Sequence, residues 1–161
     1  MKIRIIGPVG SGKTTFANAL SKQTGIPVTA LDTLNWHRMV TGDVHKTPAE
    51  RQTELNHVLR QNHWIIEGTQ YRHGQAVFGA ADIIYVLDVP LWLNIFRLIT
   101  RWLDTRMNHG PRQYQQIWPY VRWLKQWYRY DKLAVLALLT PYRDKVKIVK
   151  RSEEHTSELQ S

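Results

Sequence analysis

Apolar positions along the chain fall into two alternating patterns. Strand-like runs occupy residues 2–6, 28–32, 64–68, 82–88 and 145–150. The runs at 64–68 and 82–88 are almost wholly apolar, which is typical of central strands covered on both faces of a parallel sheet. Between the runs, apolar residues recur at helical spacing. Strands that alternate with helices predict a three-layer α/β fold with a parallel sheet of about five strands.

The first two predicted helices carry clear end signals. The first covers residues 14–24 and ends at Gly25. The second begins with Thr47 as cap, Pro48 in the first turn and Glu50 at the capping-box position. These signals predict where the first helix ends and where the second helix begins.

Two longer helices are predicted in the second half of the chain. One begins at Pro90 and runs to about Arg106, and the other runs from about Pro119 to Leu139. A polar loop at residues 107–116 separates them. We find no internal repeat and no domain linker, so residues 1–150 are expected to form one domain.

The composition excludes cysteine chemistry, and the apolar segments are too short for a signal peptide or a membrane span. The chain has no cysteine, which excludes disulfides, thiolate metal sites and cysteine nucleophiles. No signal peptide fits the N-terminus, and the apolar run 133–139 is far shorter than the ~20 residues of a membrane span. We therefore expect a cytoplasmic protein that makes no membrane contact, and a monomer.

The last eleven residues differ from the rest. Residues 151–161 have no apolar period, and they resemble the translated read-through of a sequencing-library adapter, so we expect a non-native tail. The natural C-terminus would then be missing. The tail holds one basic and three acidic residues, so of the total charge of +9 residues 1–150 carry +11. This excess suits a polyanionic partner such as nucleotide phosphates or nucleic acid.

The sequence motif that is most specific for a function follows the first predicted strand. Gly7, Gly12, Lys13 and Thr14 satisfy the phosphate-loop pattern G-x-x-x-x-G-K-[ST] between a strand and a helix. Backbone N–H groups and the helix N-terminus can surround phosphates there, Lys13 can bridge the β- and γ-phosphates, and the Thr14 hydroxyl can ligate Mg²⁺. The predicted ATP-binding residues are Gly7, Pro8, Val9, Gly10, Ser11, Gly12, Lys13, Thr14 and Thr15.

Further segments carry a resemblance to a family. "GPVGSGKTTFANALS", "LDTLNW", "WIIEGTQY", "ADIIYVLDVP" and "RLITR" together resemble the adenylate-kinase-related topology modulation proteins, small P-loop proteins akin to nucleoside monophosphate kinases. The resemblance covers residues 1–150 and implies a P-loop NTPase fold with a helical lid at about residues 97–130.

The resemblance also implies roles for acidic residues. Glu67, at the end of the third strand-like run, matches the acidic residue near Mg²⁺, although many relatives have aspartate there. Asp32, at the end of the second run, lies where small-molecule kinases place an acceptor-binding carboxylate, and it can accept the proton of an acceptor hydroxyl. A helix-capping role is the alternative for Asp32. Asp88 matches an aspartate that is mainly structural.

Two arginines complete the predicted catalytic set. Arg97 and Arg101 are four residues apart and share one face of their helix, where the resemblance implies a lid over the phosphates. With Lys13 they would stabilise the transferring phosphoryl group. A solvated basic face is the alternative.

The sequence therefore predicts a Mg-ATP-dependent phosphotransferase of the nucleoside-monophosphate-kinase type, with ATP and Mg²⁺ as cofactors and a nucleotide or small metabolite as acceptor. The first alternative is a nucleic-acid-binding regulatory ATPase, and the second is a nucleotide-binding protein with little turnover. Aromatic and basic residues mix at residues 117–130, which favours nucleic-acid stacking. Core packing explains most of this pattern, because Ile117, Val121, Leu124 and Tyr128 keep helical spacing.

Overall fold

A computed structural model describes residues 1–37, 44–72, 75–107 and 117–150. Seven strands lie within these ranges: β1 (Lys2–Ile6), β2 (Val28–Ala30), β3 (Trp36–His37), β4 (Val44–His45), β5 (Trp64–Glu67), β6 (Ile83–Leu87) and β7 (Val146–Val149). The helices are α1 (Lys13–Thr24), α2 (Pro48–Leu59), α3 (Gln75–Ala80), α4 (Leu91–Met107), α5 (Trp118–Gln126) and α6 (Lys132–Leu138). A π-helical segment, Trp127–Asp131, joins α5 to α6, and short 3₁₀ turns lie at Thr33–Asn35 and Thr140–Lys145.

Five strands form one parallel sheet in the order β2-β5-β1-β6-β7. The predicted parallel sheet of about five strands is confirmed. Strands β3 and β4 pair separately as a two-residue antiparallel ladder. Because all five main strands run in one direction, their carboxyl ends meet at one edge, and this is where ligands collect in open α/β sheets.

The strands alternate their side chains between two cores. On β1, Ile3 and Ile5 join the core beneath α1, where Phe16 and Leu20 also pack, while Ile6 faces the opposite side. That second core is covered by α2, α3 and the π-helical segment through Leu55, Val77, Phe78 and Trp127. Helices on both faces make three layers, as the continuous apolar strands predict.

The predicted end of α1 and the predicted start of α2 are present in the structure. Gly25 ends α1 in the left-handed conformation, with φ 72°. Thr47 and Glu50 form a reciprocal capping box at the start of α2, where the Thr47 hydroxyl accepts from the Glu50 N–H at 3.2 Å. Each signal depends only on residues within one turn of the helix end, so neighbouring sequence is sufficient to specify it.

Two predicted elements need correction. Strand β2 ends at Ala30, so Asp32 lies two residues beyond it in a turn. The predicted helix 119–139 is interrupted by the π-helical segment at 127–131. Helix α3 and the β3–β4 pair were not predicted. The predicted polar loop falls mostly, and the predicted tail wholly, outside the described residues.

Helix α4 turns one apolar side outward. Trp92 is 66% exposed and Phe96 60%, whereas Asn94 and Leu98 are buried. The other exposed apolar residues of this face are Leu91, Ile95, Ile99 and Leu103. No helix of the described ranges is long and apolar enough to cross a membrane.

Candidate phosphate-transfer site

The phosphate loop connects β1 to α1 at the carboxyl edge of the sheet. Gly10 and Gly12 have φ of 77° and 89°, a conformation that residues with a Cβ rarely adopt. A Cβ at Gly7 would lie 3.0 Å from the Leu87 carbonyl oxygen. The three glycines therefore allow a tight turn that leads directly into the N-terminus of α1, where backbone N–H groups can face an anion.

Lys13 lies inside this loop. Its ammonium donates to the Pro8 carbonyl oxygen at 2.8 Å, and only 8% of the residue is exposed. Burial lowers the Lys13 pKa to about 8, while the nearby carboxylates of Glu67 and Asp32 oppose that shift. A bound phosphate would supply a further negative charge beside this buried cation.

Thr14 and Glu67 meet beside Lys13. The Thr14 hydroxyl donates to Glu67 Oε1 at 3.1 Å, and Glu67 is buried at the end of β5. A hydroxyl and a carboxylate are the oxygen ligands that Mg²⁺ accepts, usually with one or two carboxylates and several waters. The pair fits the predicted metal site, and that assignment stays a prediction.

Asp32 is exposed in the turn after β2. Gln70 donates its side-chain amide to Asp32 Oδ1 at 2.9 Å. The Asp32 charge also acts on the pKa of Lys13, so the carboxylate lies within electrostatic reach of the phosphate loop. Its predicted role towards an acceptor stays a prediction.

The two predicted lid arginines lie on α4 next to the loop. Arg97 Nη1 donates to the Ser11 carbonyl oxygen at 3.1 Å. Burial is the main cause of the lowered Lys13 pKa and the Arg101 charge adds to it, so Arg101 lies within electrostatic reach of the loop. The structure therefore brings Lys13, Arg97 and Arg101 to one region, and their joint action on a phosphoryl group stays a prediction.

Asp88 has a different environment. It accepts from the Lys132 ammonium at 2.8 and 3.0 Å. Lys132 begins α6, so this ion pair ties the end of β6 to the helix after the π-helical segment. The contact gives Asp88 a structural role.

Sequence reasoning missed Arg4, which is fully buried on β1. Its guanidinium donates to the carbonyl oxygens of Ile5, Ile66, Gly68 and Gln70, at distances between 2.7 and 3.3 Å. It also lies 5.4 Å from the Phe78 ring centroid. Burial lowers the Arg4 pKa to about 10, with Glu67 and Asp32 opposing the shift.

Arg4 thereby fixes the backbone on both sides of Glu67. A charged residue between the isoleucines of the strand "KIRII" was the available signal. Charged side chains are rarely buried without partners, so an arginine at a core position indicates a set of acceptors nearby.

A second missed group links α4 to the π-helical segment. The Tyr128 hydroxyl donates to the Val89 carbonyl oxygen and accepts from the Asn94 amide at 2.7 Å. Asn94 is fully buried, and its backbone carbonyl oxygen would lie 3.4 Å from a Cβ placed on Gly10 of the phosphate loop. Burial raises the Tyr128 pKa to about 12.

Comparison with known proteins agrees with this fold. A family model described as isopentenyl transferase matches residues 1–70, which hold the phosphate loop, Asp32 and Glu67. No curated protein matches the chain in sequence.

Several solved structures are similar over nearly the whole chain. Shikimate kinase from Acinetobacter baumannii, in complex with shikimate, has a TM-score of 0.59 at 17% identity, covering 99% of this chain and 90% of that one. Shikimate kinase from Bacteroides thetaiotaomicron has a TM-score of 0.58 at 16% identity, covering 99% and 94%. Deoxyadenosine kinase from M. mycoides with bound dATP has a TM-score of 0.55 at 16% identity, covering 100% of both chains.

The chain therefore has the fold of P-loop kinases. At these identities the likeness shows the fold alone. The narrower resemblance to topology modulation proteins stays a prediction.

Proposed function

We propose that the protein is a Mg-ATP-dependent phosphotransferase of the nucleoside-monophosphate-kinase type, which transfers the γ-phosphate of ATP to a nucleotide or small-metabolite acceptor. The observation that carries the proposal is the buried Lys13 inside the phosphate loop, with the Thr14–Glu67 pair beside it. These are the parts that position a nucleoside triphosphate and its metal ion.

Each residue has a role in the proposed transfer. The loop N–H groups hold the phosphates, and Lys13 exchanges the Pro8 carbonyl for phosphate oxygens. Thr14 and Glu67 would hold Mg²⁺, which neutralises charge on the phosphates when it is bound. Lys13, Arg97 and Arg101 stabilise the charge of the phosphoryl group during transfer.

The transfer itself forms one bond and breaks one bond. An acceptor oxygen attacks the γ-phosphorus, the bond from that phosphorus to the β-phosphate oxygen breaks, and ADP leaves. Where the acceptor group is a hydroxyl, Asp32 accepts its proton. The exposed position of Asp32 at the carboxyl edge of the sheet supports this role, since an acceptor can reach it from solvent.

A regulatory ATPase that binds nucleic acid is the second candidate, and the charge of +11 on residues 1–150 favours it. Both candidates use the phosphate loop to bind ATP. A kinase transfers the γ-phosphate of ATP to a small acceptor. A regulatory ATPase hydrolyses ATP, and nucleic acid activates that hydrolysis.

An acceptor panel separates the two candidates. We would measure ADP formation with Mg-ATP and nucleoside monophosphates, deoxynucleosides or shikimate, and in parallel with single- and double-stranded DNA. The kinase proposal expects ADP and a phosphorylated acceptor in equal amounts with at least one small molecule, and none with Lys13→Ala. ATPase activity that rises with DNA while every small acceptor stays unmodified would overturn it.

A further inference from the structure

Helix α4 turns its apolar side towards solvent and its polar side towards the protein. The apolar side, which we call the α4 stripe, consists of Trp92, Ile95, Phe96, Ile99 and Leu103, all of them exposed. The opposite side holds Asn94, which is buried, and Arg97, whose guanidinium donates to the Ser11 carbonyl oxygen. A helix on the surface of a globular domain normally has the reverse orientation, with its apolar stripe against the core.

The α4 stripe is large for a single exposed patch. Trp92 is 66% exposed and Phe96 is 60% exposed, and the three aliphatic members are 38–44% exposed. Since an aromatic side chain offers roughly 150–250 Å² of surface, the five residues together leave on the order of 500 Å² of apolar surface in water. The largest apolar patch on a typical monomer measures about 300–600 Å² and is often functional.

Helix α5 adds to this exposed apolar surface. It contacts α4, and its residues Trp118 and Trp123 are both more than half exposed. A stable protein interface buries about 800 Å² on each partner. Helices α4 and α5 together therefore expose enough apolar surface for one side of a stable interface.

The spacing of the stripe indicates that its partner is another helix. Residues 92, 96, 99 and 103 are spaced by four, three and four, as are the a and d positions of a heptad. Side chains at these positions pack into the holes of a facing helix, and the seam on α4 is about 17 Å long. A second copy of α4 offers the same seam.

Charge also favours a second copy over other partners. The stripe, which lies wholly within the described range 75–107, contains no ionisable residue, and a twofold contact needs only a surface that matches itself. A helix that binds anionic lipid uses cations along its flanks. Among the side chains of α4 that the structure describes, the cations are Arg97, which contacts the phosphate loop, and Arg101, which acts on Lys13.

We infer that the α4 stripe is a homodimer interface, in which it packs against the α4 stripe of a second copy across a twofold axis. Phe96 and Ile99 lie in the middle of the stripe and therefore next to the axis. This dimer replaces the monomer expected from the sequence, and it does not depend on the proposed function. Because residues 1–150 carry a charge of +11, two copies repel each other, and salt should strengthen the dimer by screening that repulsion.

Sedimentation velocity of the full chain measures the oligomeric state. We expect wild-type protein to be mainly dimeric at a concentration on the order of 10 µM, and more completely so at high salt than at low salt. Phe96→Glu and Ile99→Glu should each weaken the dimer about 100-fold or more, because each places two unpaired carboxylates in an apolar contact near the axis. Both variants should therefore sediment as monomers at the same concentration.

Leu133→Glu is the matched control. Leu133 is 68% exposed on α6 and lies outside the stripe, so the same change from an apolar to an acidic side chain should leave the dimer intact. Circular dichroism verifies that each variant is folded. The use of two stripe variants keeps the test decisive if one of them does not fold.

The inference is wrong if wild-type protein remains monomeric up to about 100 µM, or if both stripe variants dimerise as wild type does. Vesicles with anionic lipid provide a second arm. Monomeric protein that binds the vesicles through Phe96 would assign the stripe to a membrane surface and overturn the inference, and salt would weaken that binding. A dimer that phosphorylates no acceptor would contradict only the kinase proposal, whereas a monomer that transfers phosphate would contradict only the dimer.

Discussion

Thr14 and Glu67 touch at 3.1 Å although 53 residues separate them in the chain. If both serve Mg²⁺, Thr14→Ala and Glu67→Ala should each weaken Mg-ATP binding about tenfold or more and weaken metal-free ATP much less. Calorimetric titrations with and without Mg²⁺ measure the difference. Thr24→Ala at the far end of α1 is the control, and equal losses with both forms of ATP would remove the metal assignment.

A single hydroxyl holds α4 against the π-helical segment. Tyr128→Phe leaves the Val89 carbonyl and the buried Asn94 amide without this partner. We expect the free energy of unfolding to fall by about 1–3 kcal/mol, the usual cost of an unsatisfied buried polar group. Urea denaturation measures it, with Tyr130→Phe on the exposed side of the segment as control.

The same hydroxyl gives a pH dependence with a definite sign. Burial raises the Tyr128 pKa from 10.0 to about 12, so the folded state holds this proton more tightly than the unfolded state. The contribution to stability is complete below pH 10 and is lost as pH rises towards 12. Unfolding free energies between pH 9 and about 12 should fall less steeply in Tyr128→Phe, and an unchanged slope would contradict the assignment.

At the scale of elements, α4 is the helix on which the lid proposal depends. Arg97 and Arg101 lie one turn apart on it, and both approach the phosphate loop. Replacing either with alanine should lower kcat by roughly 10³-fold and change ATP affinity little, since the lost interaction is made mainly in the transition state. Steady-state kinetics with an active acceptor give both quantities.

Arg143→Ala is a matched control for this helix. Arg143 is exposed in the 3₁₀ turn before β7, away from α4 in the chain. Its removal should leave kcat unchanged. If Arg97→Ala and Arg101→Ala raise KM for ATP and leave kcat as it is, the arginines bind the ground state and the lid role is wrong.

For the whole molecule, nucleotide binding should appear as a gain in stability. A ligand that binds only the folded state adds about 2.7 kcal/mol at a hundredfold excess over its Kd. For a chain of this size that corresponds to a rise in Tm of about 5–10 °C. Calorimetric melting with a Mg-bound non-hydrolysable ATP analogue measures the rise.

Lys13→Ala tests where that stabilisation originates. The variant removes the buried ammonium from the loop, so most of the ligand-induced rise in Tm should disappear. The ligand-free variant should not melt below wild type, because burial of the charged ammonium is itself unfavourable. A full ligand-induced rise in Lys13→Ala would place the nucleotide elsewhere.

The sequence by itself determined the features that depend on near neighbours. Residues within a few positions of one another specify the glycine turn at residues 7, 10 and 12, the Thr47–Glu50 capping box and the apolar runs of the strands. Parallel strands then follow from the order of elements. The order of elements therefore predicts Lys13, Thr14, Asp32 and Glu67 at one edge of the sheet.

Only the tertiary structure decided the contacts between distant residues. Arg4 holds carbonyls up to 66 residues away, Tyr71 meets Asp131 across 60 residues, and Tyr128 meets Asn94 across 34. Sequence periodicity also could not tell which apolar faces would be covered, and Trp92 and Phe96 of α4 are exposed in the described structure. The physical reason is that local patterns fix backbone conformation and side-chain direction, whereas burial and hydrogen-bond partners depend on what the rest of the chain packs against each face.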